Sequence, residues 1–139
     1  YKIALTHLQP GVRCLDWGCG NGHFSYFLAK WGFQTDAYTL DGAPELIKSS
    51  PAIRLTRGSD PVSVPYASAT FDAVFGLGVL EHVTEYGGDE RGSLAEVERV
   101  LKPGGWLFIF HLPNRYSWLE AAVRLVGRLG LSKKPAHIN

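Results

Sequence analysis

The chain has 139 residues, of which 45% are hydrophobic, 12% aromatic and 19% charged, with a formal net charge of +1. That is enough chain for one real core and too apolar for a disordered tail, and so small a net charge carries no signature of a nucleic-acid binder. No unbroken apolar run reaches the roughly 18 to 20 residues of a membrane span, and the two cysteines, Cys14 and Cys19, stand too close together to staple a fold. The expectation is a soluble, cytoplasmic, globular domain formed by residues 1–139 with reduced thiols.

Gly and Pro punctuate the chain at short intervals, and the apolar period changes between them. Val12 to Leu15 follows Pro10-Gly11 as a short apolar run, which predicts a strand entering a core. After Gly22, the residues Phe24, Phe27, Leu28 and Trp31 fall at helical spacing, and Gly32 can stop the helix. Thr35 to Leu40 predicts a second strand ending at Asp41, and Pro44 to Ser49 a short helix. Ile53 to Thr56 is a weak strand; Phe71 to Leu77 is a stronger one, rich in aromatic and β-branched residues.

Ser93 to Leu101 predicts a helix with Leu94, Val97 and Leu101 on its apolar stripe, ended by Lys102-Pro103-Gly104-Gly105. Trp106 to Leu112 is continuously apolar, as a strand covered on both faces would be. Trp118 to Leu129 is amphipathic. Strands alternating with helices predict an α/β fold: a Rossmann-like, doubly wound, mostly parallel sheet with helices on both faces, in three layers.

In such a sheet, ligands bind beyond the carboxyl ends of the strands, where the strand order reverses. The first strand runs into Asp16-Trp17-Gly18-Cys19-Gly20-Asn21-Gly22, directly before the amphipathic helix. Alternate glycines allow a sharp turn and let a ligand lie against backbone without meeting a Cβ, and the helix amides behind them offer donors. Dinucleotide enzymes favour Gly-x-Gly-x-x-Gly, whereas here the third glycine comes one residue early and His23 holds its place. The carboxylate of Asp16 would repel a pyrophosphate and attract an ammonium group.

On these residues the chain resembles the class I S-adenosylmethionine-dependent methyltransferases, in their small-molecule group. Leu15 to Gly22 resembles the family's glycine-rich first motif, and Asp41-Gly42-Ala43-Pro44-Glu45 the acidic end of its second strand. Pro65-Tyr66, Phe71-Asp72-Ala73-Val74 and Val79-Leu80-Glu81-His82-Val83 are similar to its fourth-strand region. Arg99 to Gly105 and Pro113-Asn114-Arg115 are similar to the segments around its fifth strand. The resemblance implies methyl transfer from S-adenosyl-L-methionine, leaving S-adenosyl-L-homocysteine, to a small-molecule acceptor by direct in-line displacement.

The resemblance also assigns roles. Gly18, Cys19 and Gly20 would pass close to the methionine part of the cofactor, with Asp16 near its ammonium group, directly or through water. Asp41, beside Gly42, would accept both ribose hydroxyls, Asp60 would meet the adenine amino group, and Leu77 would line the cofactor through backbone and shape. Asp60 stands in a stretch, Gly58 to Pro65, one residue longer than the family's usual spacing. The less favoured alternative is a turn or helix-capping role for Asp16 and Asp41 and a solvated loop position for Asp60.

His82 and His111, just after the fourth strand and at the end of the fifth, are the candidate catalytic bases, with His137 a further imidazole; the alternative is a histidine satisfied by loop groups. Glu81 and His82 lack a third ligand at convincing spacing, so no metal is expected. Between residues 115 and 134, Arg115, Arg124, Arg128, Lys133 and Lys134 face only Glu120. That stretch is a solvated helix face, a lid for an acidic or lipid-linked acceptor, or a peripheral membrane contact; no nucleic acid is expected. By the resemblance the chain lacks the family's last two strands and most of its preceding helix, leaving the fifth-strand edge open or covered by the terminal helix. The competing readings are a nicotinamide-dependent oxidoreductase and a non-catalytic cofactor-binding or scaffold domain.

Overall fold

A computed structural model describes residues 2–42, 45–48 and 50–110. In chain order it contains α1 (Lys2–His7), β1 (Arg13–Trp17), α2 (His23–Lys30), β2 (Gln34–Thr39), α3 (Glu45–Lys48), β3 (Ile53–Arg57), β4 (Phe71–Leu77), α4 (Leu80–Val83), α5 (Glu90–Val100) and β5 (Leu101–Phe110). The strands form one sheet in the order β3-β2-β1-β4-β5, with every neighbouring pair parallel. The chain winds outward from β1 through β2 to β3, then returns to the other side of β1 for β4. The order therefore reverses at β1.

Alternation along the central strands divides the apolar residues between two faces. Leu15, Trp17 and Val74 point into a cluster closed by Val83, Val97 and Val100 from α4 and α5. Cys14, Ala73 and Phe75 point into another, closed by Ala4 and Leu8 near α1 and by Phe24 and Leu28 of α2. A smaller cluster joins Cys19, Ala37, Ile47 and Ile53 beside α3. Helices on both faces of a parallel sheet make three layers, the architecture expected from the alternating periods.

The α5 stripe differs from the expected one. Its buried residues are Ser93, Val97 and Val100, whereas Leu94 is 37% exposed. Asp89 caps the helix by accepting from the Gly92 amide, four residues earlier than the predicted start, and Leu101 already belongs to β5. Lys102 to Gly105 form an excursion inside β5: Phe71 pairs with Leu101, but Ala73 pairs with Trp106. Lys102 Nζ reaches back to Asp72 Oδ1 across 2.7 Å.

The expectation that the run from Trp106 is buried on both faces is also corrected. Trp106 is 43% exposed and Leu107 to Phe110 are only half-buried, because β5 is the last strand of the described sheet and pairs on one side. Leu112 and the amphipathic segment 118–129, with its proposed cover over that edge, lie outside the described residues. Among the described residues, no helix is long and apolar enough to cross a membrane.

Candidate functional site

The reversal of strand order opens a cavity of about 250 Å³ at the carboxyl ends of β1, β2 and β4. Trp17, Gly18 and Gly20 form one wall, Tyr38 to Asp41 the second, and Leu77, Gly78 and Val79 the third. Pro61 and the segment carrying His82, Val83 and Tyr86 close the remainder.

Backbone chemistry dictates the first wall. The amides of Gly18 and Cys19 both donate to the Tyr38 carbonyl, at 3.0 and 2.9 Å, and Gly22 N donates to Cys19 O at 2.8 Å. Such a tight turn needs left-handed backbone: φ is +74° at Gly18, +49° at Gly20 and +79° at Gly22. A Cβ on Gly18 would stand 2.6 Å from Val79 Cγ2, so this residue must be bare for protein packing as well. Around Gly20 nothing of the protein comes within 4 Å of that position, leaving open space for a ligand. Gly22 is the N-cap residue of α2, not a packing glycine inside the helix.

Asp16 occupies the opposite side of β1 from Trp17 and does not line the cavity. Its carboxylate is 1% exposed and accepts Ser25 Oγ of α2 at 2.5 Å. Burial pushes the carboxyl up to about 6, against hydrogen bonds from the Ser25 hydroxyl and backbone amide. A donor of the first turn of α2 thus goes to Asp16, which secures the glycine turn to the helix behind it.

Asp41 is the acidic group exposed at the cavity. Its backbone amide donates to Thr39 Oγ1 at 3.1 Å, and its carbonyl accepts Arg57 Nε at 3.2 Å, so the end of β2 is held from both sides. Tyr86 Oη stands 3.4 Å from each carboxylate oxygen. Leu77 lines the cavity at the end of β4. Gly42 adjoins Asp41 in an open position but does not line the cavity.

Cys19 is buried against Ala37, Ile47 and Ile53, and burial, helped by the charges of Asp16 and Asp41, pushes its thiol up to about 12. It is packing. Asp60 lines a neighbouring surface hollow with Tyr38, Gly58 and Ser63, and its Oδ1 accepts the amides of Val62 and Ser63 at 2.8 and 3.1 Å. That oxygen organises its own turn, as a loop aspartate commonly does. The phenol of Tyr38 reaches the same turn, donating to Asp60 O at 2.9 Å.

His82 lines the cavity, and its Nδ1 meets Glu85 Oε2 at 2.8 Å. His111, His137 and the basic stretch 115–134 lie outside the described residues. No group of three or more His, Cys, Asp or Glu is gathered for a metal ion among the described residues. Sequence reasoning missed Tyr86 altogether, since nothing in local spacing links it to a residue 45 positions away. Trp17 was visible within the motif but not as a cavity wall.

A family model described as a methyltransferase domain matches residues 15–109, the whole span from β1 to near the end of β5. The chain belongs to this methyltransferase-domain family. The ubiquinone biosynthesis O-methyltransferase of Xanthomonas campestris pv. campestris strain B100 is 37% identical to it over 141 residues, covering 91% of this chain and 55% of that relative. The domain therefore spans about half the length of the curated relatives it matches. Among solved structures, a SAM-dependent methyltransferase from Methanosarcina mazei matches with TM-score 0.75 and 25% identity, over 91% of this chain and 65% of the other. The Burkholderia thailandensis 1,6-didemethyltoxoflavin-N1-methyltransferase, solved with 1,6-didemethyltoxoflavin and S-adenosylhomocysteine bound, matches with TM-score 0.63 and 27% identity, over 78% of this chain and 48% of the other.

Proposed function

We propose that the methyltransferase domain binds S-adenosylmethionine in the cavity at the end of β1 and directs its methyl group to a hydroxyl of a small-molecule acceptor. The observation that carries this is the pairing of two bare glycine positions, Gly18 and Gly20, with an exposed carboxylate, Asp41, on facing walls of one cavity. The donor set fits the group. Gly20 leaves free volume where a side chain would stand, and Asp41 presents two acceptor oxygens as a vicinal diol requires. When bound, the cofactor supplies a methyl carbon made electrophilic by its sulfonium.

The protein's own contribution is then binding and orientation. Asp41 accepts the ribose hydroxyls. Gly18 and Gly20 let the amino-acid portion lie on backbone, and the charge of Asp16 acts on its ammonium group from behind that turn. Leu77, Val79 and Val83 give the walls apolar surface that excludes water. His82, whose Nδ1 is engaged by Glu85, keeps Nε2 to hold the proton released by an acceptor hydroxyl. The name of the Xanthomonas relatives, an O-methyltransferase of ubiquinone biosynthesis, supports a hydroxyl as the methyl acceptor.

Calorimetric titration with S-adenosylmethionine, S-adenosylhomocysteine and NAD tests this reading. Saturable binding of the first two alone is expected. NAD binding alone would instead indicate an oxidoreductase, and no binding of any of the three would leave a scaffold.

A further inference from the structure

The segment that closes the cavity is built as a fixed turn carrying one movable aromatic. From His82 onward the backbone is tied locally: Glu85 N donates to His82 O at 3.0 Å, Gly87 N to Thr84 O at 3.1 Å and Gly88 N to Val83 O at 2.9 Å. Gly87 takes φ +78°, and a Cβ on Gly88 would meet Val83 Cγ1 at 2.8 Å and Pro61 at 3.0 Å. The turn is thus pressed against the cavity rim. Tyr86, at its apex, is 51% exposed, so little packing restrains its ring.

Its hydroxyl spans the cleft to Asp41. The two 3.4 Å distances are equal, which puts the phenol oxygen on the plane bisecting the carboxylate. A vicinal diol donating one hydrogen to each oxygen must straddle the same plane, so the phenol and the diol compete for the same two acceptor oxygens. At 3.4 Å the contact is also well beyond the ~2.5 to 3.0 Å of a strong O–H···O bond, so it is easily broken.

We propose that Tyr86 is an affinity-determining residue of the Asp41 subsite, a built-in stand-in for the ligand's diol that must swing away, on a turn that does not move, before a ribose can bind. The proposal rests on the reading of Asp41 as the ribose acceptor. Two features agree with it. The negative charge of Asp41 pushes the Tyr86 phenol above its ordinary pKa, so the hydroxyl remains a donor at neutral pH. Both residues line the same cavity, Asp41 just beyond the end of β2 and Tyr86 on the turn after α4.

A ligand that must displace the phenol binds more weakly by the fraction of molecules in which Asp41 is open. Removing only the hydroxyl, as Tyr86→Phe, should therefore tighten S-adenosylhomocysteine and adenosine by roughly threefold, the scale of one weak hydrogen bond. The same substitution should leave 2′,3′-dideoxyadenosine unchanged, because that ligand has no diol for Asp41. In an Asp41→Asn background the gain should shrink toward nothing. Calorimetry on the four proteins with these three ligands gives the answer. Equal affinity of wild type and Tyr86→Phe for S-adenosylhomocysteine, or an equal gain for the dideoxy ligand, would overturn the proposal while leaving the ribose subsite intact. Failure of the wild type itself to bind S-adenosylhomocysteine would overturn the reading beneath it.

Discussion

Ser25 Oγ and Asp16 Oδ2 lie 2.5 Å apart in a place water does not reach, joining the first turn of α2 to the strand that carries the glycine turn. A buried carboxylate whose donors both come from Ser25 depends on that residue, and its hydroxyl is the part a substitution can remove. Ser25→Ala should cost about 1.5 to 3 kcal/mol of unfolding free energy at pH 7, the range for a hydrogen bond to a charged group, measured by urea titration.

Asp16 also sets a pH signature of unusual direction. Its folded pKa of about 6 lies above the ordinary 3.8, so the folded state holds its proton where the unfolded state has lost it. Stability from this group therefore falls as pH rises from about 4 to about 6 and is level beyond. Asp16→Asn keeps an acceptor for Ser25 and removes the titration. Relative to wild type, its stability should improve by on the order of 3 kcal/mol across that window, at roughly 1.4 kcal/mol per pKa unit. Urea midpoints at pH 4, 5, 6 and 7 would show it; parallel curves would mean that the carboxyl titrates normally.

Gly18 and Val79 should behave as a coupled pair. Gly18→Ala combines a positive φ with a Cβ placed 2.6 Å from Val79 Cγ2, and should lose about 2 to 4 kcal/mol. Truncation of the partner, in Gly18→Ala/Val79→Ala, removes the collision but not the strain. A double-mutant cycle should return a favourable coupling of about 1 kcal/mol or more. Gly20→Ala meets no protein atom, so it should fold with a loss near 1 kcal/mol yet bind S-adenosylhomocysteine at least tenfold more weakly.

Asp41→Ala, at an exposed position, should leave stability almost unchanged and weaken S-adenosylhomocysteine by about 1 to 3 kcal/mol, read by calorimetry. An unaltered affinity would remove Asp41 from the binding site.

Asp36 lies between Arg13 and Arg54 on the neighbouring strands β1 and β3, with contacts of 2.9 to 3.2 Å to both guanidinium groups. Burial pushes its carboxyl up, but the arginine hydrogen bonds and charges prevail and hold it below 3.8. Its stabilisation is present above the ordinary carboxylate range and lost as pH falls through the depressed folded value. Asp36→Asn should cost about 2 to 4 kcal/mol at pH 7 and flatten the acid limb of the stability profile.

Local chemistry carried much of this in the sequence. Of the helical stripe Phe24, Phe27, Leu28 and Trp31, α2 buries Phe24 and Leu28 but leaves Phe27 52% exposed and ends before Trp31. The aromatic, β-branched run Phe71 to Leu77 is a strand as its composition requires, and the alternate glycines after Asp16 line or adjoin the cavity. What stayed hidden depends on distance along the chain. Leu94 and Leu101 looked like one apolar stripe, but α5 buries Ser93 because that hydroxyl finds Pro61 O at 3.3 Å, a partner 32 residues away. The resemblance gives Asp60 to the adenine amino group, and what it does not reveal is that Oδ1 is engaged in holding its own turn. Strand parity turns the Asp16 side chain toward Ser25 of α2, so its charge reaches the cavity only from behind the glycine turn, which spacing alone does not reveal. Tyr86 belongs to no periodic segment, and only the sheet's reversal of order brings it to Asp41.

Tyr38 fills the volume above Gly58 so completely that a methyl group there would fall 1.9 Å from the phenolic oxygen. Mutational scanning should consequently find position 58 as intolerant as the glycine turn itself, although no ligand role is assigned to it. Depletion of variants at that loop would report the shape of one aromatic side chain, and a smaller residue at 38 should restore tolerance.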